Sequence, residues 1–403
     1  MAYDVDRIRS LFPALADGVA HFEGPGGTQT PASVGDAIAR TLTGPLSNRG
    51  SVGASERTAD AVVLAFRQAC ADLLGADPRG IVYGRSATAL CYDFSRTLAR
   101  AWGPGDEVVV TRLDHDSNVR PWVQAAERAG ATVRWVDFDV RTGELSTDAV
   151  AAQLTPRTRL VAVTAASNLI GTMPDIAAIA ERVHEVGALL YVDAVHFAAH
   201  GLVDLESMGA DLVMCSPYKF LGPHCGVLAG SPELLETLHP DKLLPSTDAV
   251  PERFEFGTLP YEIMAGVTEA IDVLAALDSD ASGTRRERLA TSFAALEEHE
   301  SALLERLESG LAALPVTVWS RARHRTPTVL VTADDPTGER AASALYRALD
   351  ERGILAPASN FYALEASRLM GLGDAGGLRI GLAPYTTVDE IDRLLEALGE
   401  LLA

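Results

Sequence analysis

The chain has 403 residues, 47% of them hydrophobic, enough to bury a sizeable core and, by length, to divide into two domains. Its 34 basic against 55 acidic side chains give a formal charge of −21, which excludes nucleic acid and anionic membrane as partners because both are polyanions. No apolar run reaches the ~20 residues that span a bilayer, and the first residues lack the basic start and apolar core of a signal peptide, so a cytoplasmic protein is expected.

In chain order, the spacing predicts a short helix over residues 6–15, a strand, and then a loop through Gly24-Pro25-Gly26-Gly27-Thr28-Gln29-Thr30. Residues 59–74 are apolar at helical spacing, and Asp77-Pro78 ends that helix. Short apolar runs then alternate with helical ones. Strands are predicted over 81–83, 107–111, 132–136, 160–165, 189–192 and 212–215, with helices over 88–102, 119–129 and 176–186. These strands lack strict polar alternation, as strands buried on both faces do. The expected fold class is therefore α/β, with a mainly parallel central sheet and helices on both faces.

After Val267 the texture changes. A long helical stretch reaches Leu314, broken at 278–283. Strands follow at 328–332 and 378–382, and the capping box Thr387-Val388-Asp389-Glu390 opens a last helix. The expected organisation is an N-terminal segment, residues 1–20, packing with the small domain. A large domain covers 21–275 and a smaller α+β C-terminal domain covers 276–403.

Chemistry concentrates between Leu189 and Gly230. Asp193 ends an apolar strand, where ligand sites of α/β sheets occur. Lys219 follows just past the next strand, in Cys215-Ser216-Pro217-Tyr218-Lys219-Phe220-Leu221-Gly222-Pro223, an apolar setting that a solvated lysine rarely has. The chain holds only one other lysine, Lys242, in the ordinary loop His239-Pro240-Asp241-Lys242. An acid and a lysine at the ends of adjacent strands suit pyridoxal 5′-phosphate (PLP). The amine joins the cofactor's aldehyde as an imine, and the acid keeps the pyridine nitrogen protonated so that the ring can take up electrons.

Three segments carry a resemblance. Ser167-Asn168-Leu169-Ile170-Gly171-Thr172 fits S-N-x-x-G-T, Val192-Asp193-Ala194-Val195-His196 fits V-D-[GA]-x-[QH], and Ser216 to Pro223 fits S-x-x-K-x-x-G-P. In their order and spacing they resemble the cysteine desulfurase and selenocysteine lyase branch of the class V aminotransferases, which are fold-type I PLP enzymes. The resemblance implies that His115 stacks on the cofactor ring and that Asn168 lies near its phenolic oxygen; His196, where the family more commonly has glutamine, could hydrogen-bond that oxygen or act in proton transfer. It implies a phosphate-cradling turn at Ser86, Ala87 and Thr88, at a strand-to-helix junction, with Ser216 as a further phosphate ligand and Tyr218 beside the cofactor. Thr258, in Glu255-Phe256-Gly257-Thr258, is similar to a residue that reaches the partner subunit's phosphate, which implies a homodimer with shared active sites. Arg379 falls where the family binds the substrate carboxylate, with Gly27, Asn168 and Tyr362 around the substrate.

The chain departs from the family at the mobile cysteine that carries sulfur as a persulfide. Ala358-Ser359-Asn360-Phe361-Tyr362-Ala363 places Tyr362 there, and a phenol cannot replace a thiolate. The four cysteines, Cys70, Cys91, Cys215 and Cys225, form no C-x-x-C pair, so neither a metal site nor a disulfide framework is expected. Segments D-A-V-H, S-P-Y-K and N-F-Y-A are similar to those of a desulfurase-like subgroup. The resemblance implies abstraction of an amino acid's α-proton with β-elimination, as in a C–S lyase, without a protein persulfide. Aminotransferase and epimerase outcomes stay open, as does a PLP-fold scaffold that no longer catalyses.

Overall fold

Runs of Val, Ile, Leu and Ala build a central sheet that is covered on both faces. The computed structural model describes residues 3–333 and 341–403. After β1 (Ala20–His21), the central sheet comprises β2 (Ile81–Gly84), β3 (Glu107–Thr111), β4 (Thr132–Val136), β5 (Thr158–Thr164), β6 (Leu189–Asp193), β7 (Leu212–Cys215) and β8 (Gly226–Gly230). Their order is β2-β8-β7-β6-β5-β3-β4. The pairs among β3 to β7 are all parallel, and β8 runs antiparallel to both its neighbours. This is the mainly parallel α/β sheet expected from the pattern. One apolar core fills each face, around Val109, Val161 and Val192 on one side and Val108, Val110 and Tyr191 on the other.

The helix Arg285–Leu311 leads from this sheet to a smaller antiparallel one. Its strands are β9 (Val316–Val318), β10 (Thr328–Ala333), β12 (Ala358–Ser359) and β13 (Gly377–Gly381), in the order β12-β13-β10-β9. β11 (Ile354–Leu355) pairs instead with β1. A third core, including Leu303, Val329, Ile380 and Leu394, lies here. The N-terminal residues reach the same part of the chain: the Tyr3 hydroxyl donates to the Pro384 carbonyl at 3.0 Å, and Arg9 pairs with Glu390 at 3.0 Å. No helix among the described residues is long and apolar enough to cross a membrane.

Three local readings need correction. The first helix stops at Arg9, and Pro13–Asp17 forms a separate 3₁₀ turn, because proline at its start cannot continue an α-helix. The helix read over 59–74 begins at Ala54, where the Glu56 carboxylate accepts the Gly53 N–H at 2.8 Å and closes the first turn. Ala32–Thr43, which the spacing did not reveal, is also a helix.

Candidate active site

The parallel strands deliver their C-terminal ends to one edge of the sheet, the usual place for a ligand in such folds. Ser86, Ala87 and Thr88 follow β2, His115 follows β3 and Asn168 follows β5. Asp193 and His196 close β6, and Ser216, Tyr218 and Lys219 follow β7. All ten side chains line one cavity. A wider space of about 640 Å³ shares Thr88, His115, Asn168, Tyr218 and Lys219 with it and adds Tyr362 and Arg379. The two form a single cleft. Gly27, expected beside the substrate, borders neither cavity; it lies against the Tyr218 ring, where an added Cβ would sit 3.2 Å from the ring. Thr258 is exposed and borders neither cavity.

Each group has a local reason for its place. Ser86 caps the helix Ala87–Ala99, its Oγ accepting the Ala89 N–H at 3.1 Å, so the first free N–H groups of that helix face the cleft's end. Gly226 of β8 runs so close to the Ser86 backbone that any side chain there would collide with it. Lys219 is buried, and its Nζ donates to the Pro25 carbonyl. Burial, with Arg379 nearby, pushes the amine down to about 7, with Asp193 partly opposing. Asp193 accepts the Val195 N–H at 2.8 Å, while burial raises its carboxyl to about 6.

His115 accepts the Ser117 N–H on Nδ1 at 3.1 Å, which puts the ring proton of the neutral form on Nε2. Burial, then the charges of Lys219 and Arg379, lower its pKa to about 4. His196 is buried deeper, its Nε2 2.9 Å from Thr326 Oγ1 and 3.0 Å from Thr328 Oγ1. Desolvation keeps it neutral. Asn168 donates from Nδ2 to the Phe361 carbonyl at 2.9 Å. Arg379 donates from Nη1 to the Asn168 carbonyl at 2.8 Å, and its guanidinium carbon lies 3.6 Å from the Phe361 ring centre.

Several buried polar atoms here have no partner: Asn168 Oδ1, His196 Nδ1 and Arg379 Nε. No carboxylate among the described residues pairs with Arg379, although it is only 2% exposed. Unpaired buried polar atoms and an uncompensated buried cation are unfavourable, so the cleft is built for a polar, anionic guest. The residues present thus fit a phosphorylated pyridine ring with an amino-acid carboxylate beside it. Sequence reasoning missed several parts of this lining: Pro25, Tyr92, Ser117, Arg120 and Thr164. Pro25 contributes through its carbonyl, which no side-chain pattern reveals.

A mainly parallel sheet with one reversed strand, a cleft at its strand ends and a smaller antiparallel sheet make the protein a fold-type I PLP-dependent enzyme. The chain belongs to the aminotransferase class-V family, whose model matches residues 20–394. It is 36% identical to an uncharacterized protein of Mycobacterium tuberculosis, MT3887, with both chains covered in full. It is also 31% identical to the aminotransferase-like protein FGM3 of Gibberella zeae, covering 100% of this chain and 99% of that protein. Among solved structures it resembles the cysteine desulfurase CsdA of Escherichia coli, in an S-sulfonic acid form, with a TM-score of 0.84, 26% identity and full coverage of both chains. PLP is the cofactor of this family.

Proposed function

We propose that the enzyme removes the α-proton of an amino acid and expels a β-substituent, as a C–S lyase does, without lodging sulfur on a protein thiol. One observation carries the second half of this reading: no cysteine borders the cleft, and Cys70, Cys91, Cys215 and Cys225 are all buried elsewhere. Burial pushes each of the four thiols up, away from the reactive thiolate. The segment resembling the family's mobile cysteine loop is pinned instead. Asn168 holds the Phe361 carbonyl, and the Tyr362 carbonyl accepts the Asp116 N–H at 2.7 Å. Phe361 and Tyr362 both take left-handed backbone angles, +50° and +60°, a strained pair that the surroundings must hold in place.

Bound PLP supplies an electron sink for the charge left when the α-proton departs. Lys219 would hold the cofactor's aldehyde and serve as the base: an amine near 7 holds a large unprotonated fraction at neutral pH. Asp193 holds the proton on the ring nitrogen. Ser86, Thr88 and Ser216 would hold the phosphate, and the neutral His115 would lie beside the ring without repelling Lys219. Arg379 holds the substrate carboxylate, its one free edge directed into the pocket. Thr258 completes a partner subunit's phosphate site in a homodimer, in keeping with its exposure outside this chain's own cleft. Residues 21–275 then act as the cofactor-binding domain and 276–403 as the small domain.

The test is a panel of amino acids offered to the purified holoenzyme, scored for keto acid, sulfide and inverted enantiomer. Keto acid with expelled thiol is expected, and Lys219→Ala abolishes it together with the cofactor's visible absorption. Transfer of the amino group, or inversion alone, would reject elimination.

A further inference from the structure

A second cavity, of about 250 Å³, lies behind the cleft. Thr326 forms the wall between the two. It is among the residues that line the rear cavity, and its Oγ1 is 2.9 Å from His196 Nε2 and donates to the Gly171 carbonyl at 3.4 Å. His196 faces the other way as well, for it lines the cofactor cleft, where its Nδ1 is buried and unpartnered. The imidazole therefore has one nitrogen for each compartment.

The rear cavity has its own unsatisfied chemistry. His200 lies edge-on to His196, ring centres 5.0 Å apart, and its Nδ1 pairs with Glu300 at 2.9 Å. Glu300 is 2% exposed, and its second oxygen, Oε1, has no partner. A buried acceptor in a solvent-open cavity of this size has room for water, since a single water needs only about 10–15 Å³ of probe-centre space. Exposed Glu297 and Ser301 on the rim open the cavity to solvent.

We propose that His196 and Thr326 form a proton relay through the wall, joining the amino-acid cleft to water in the rear cavity. His196 takes on Nδ1 a proton that the amino acid releases into the cleft, as the ring passes the one on Nε2 to Thr326 Oγ1. The Thr326 hydroxyl's own proton swings from the Gly171 carbonyl to a cavity water and leaves along the water to bulk solvent at the rim. Each group ends neutral, the imidazole has exchanged tautomers, and one proton has crossed. The reverse passage resets the ring. This inference rests on the reading that the cleft handles protons of an amino acid on PLP, and it supplies that reading with a route to solvent that stays open when substrate fills the front.

The test follows the His196 ring proton in the holoenzyme by NMR on protein carrying isotope-labelled histidine, with its exchange against water as the readout. Thr326→Val removes the hydroxyl at nearly constant shape and slows that exchange by roughly tenfold, the weight of one lost hydrogen bond. Thr326→Ser restores it, and Thr326→Ala takes the place of the valine variant if that one fails to fold. Exchange equally fast with and without the hydroxyl overturns the relay. A wild-type holoenzyme inert toward every amino acid would sink the proposed function while leaving the exchange comparison intact, so the two failures are told apart.

Discussion

Arg379 donates to the main-chain carbonyl of Asn168 at 2.8 Å, although the two residues are 211 positions apart, Asn168 after β5 of the central sheet and Arg379 within β13 of the small one. That contact satisfies one edge of the guanidinium without neutralising it. The charge stays buried, and only a guest anion can compensate it.

Replacing Arg379 by Met should therefore separate function from stability. The variant loses a charged hydrogen-bonding partner for the substrate carboxylate, worth ~1.5–3 kcal/mol, so KM rises roughly 10- to 100-fold. An apolar side chain of similar volume also removes an uncompensated buried charge, and the thermal midpoint of the substrate-free enzyme holds or rises. A fall in the midpoint with unchanged KM would make Arg379 a structural residue only.

Asp193→Asn tests the acid behind the ring. The amide fits the same space and leaves the Val195 N–H an acceptor, so the cofactor stays bound. It cannot hold a proton on the pyridine nitrogen, and kcat falls by roughly a hundredfold or more, within the range of acid–base contributions. Undiminished turnover with bound cofactor rejects the pairing of Asp193 with the ring.

Thiol reagents provide an inexpensive check on the absent persulfide. All four cysteines are buried, and their thiols are pushed above the ordinary range. Iodoacetamide at neutral pH should leave turnover intact over times that inactivate an enzyme with an exposed catalytic thiolate. Inactivation that tracks alkylation of one cysteine would restore a thiol to the mechanism.

The two residues of this site that could be read from the pattern alone share a physical feature: each follows or ends an apolar strand. Asp193 and Lys219 stand out because β6 and β7 are continuous apolar runs, and a charged residue ending such a run is conspicuous. Ser86 and Thr88 follow β2 as a plain turn, and only the family resemblance singled them out. The contacts that finish the site were not legible, because they come from residues distant in sequence and silent in pattern. The Pro25 carbonyl reaches Lys219 across 194 positions, and Thr326 and Thr328 reach His196 from the edge of the small sheet across 130 and 132. The helix Ala32–Thr43 escaped notice because it buries only Val34 and Ala37 and carries Gly35 in its first turn.

Asp114 provides a prediction in pH. It is fully buried next to His115, accepts Asn118 Nδ2 at 2.7 Å and is hydrogen-bonded to the Thr111 hydroxyl. Burial raises its carboxyl to about 8, with the Asp193 charge adding to the rise against these hydrogen bonds. The unfolded carboxyl titrates near ~3.9. Between these values the folded chain keeps a proton that the unfolded chain has lost. The stability this confers is therefore full below about pH 4 and is lost as pH rises through about 8. In Asp114→Asn the amide keeps an oxygen for Asn118 and turns its N–H toward Thr111, so the turn that presents His115 survives while the titration disappears. Thermal midpoints of wild type and variant should converge below about pH 4 and diverge progressively between about pH 4 and 8, the variant declining less, since the other titrating groups are common to both. Parallel curves across that range would mean that Asp114 is already ionised in the folded protein, with its charge accommodated by Thr111 and Asn118.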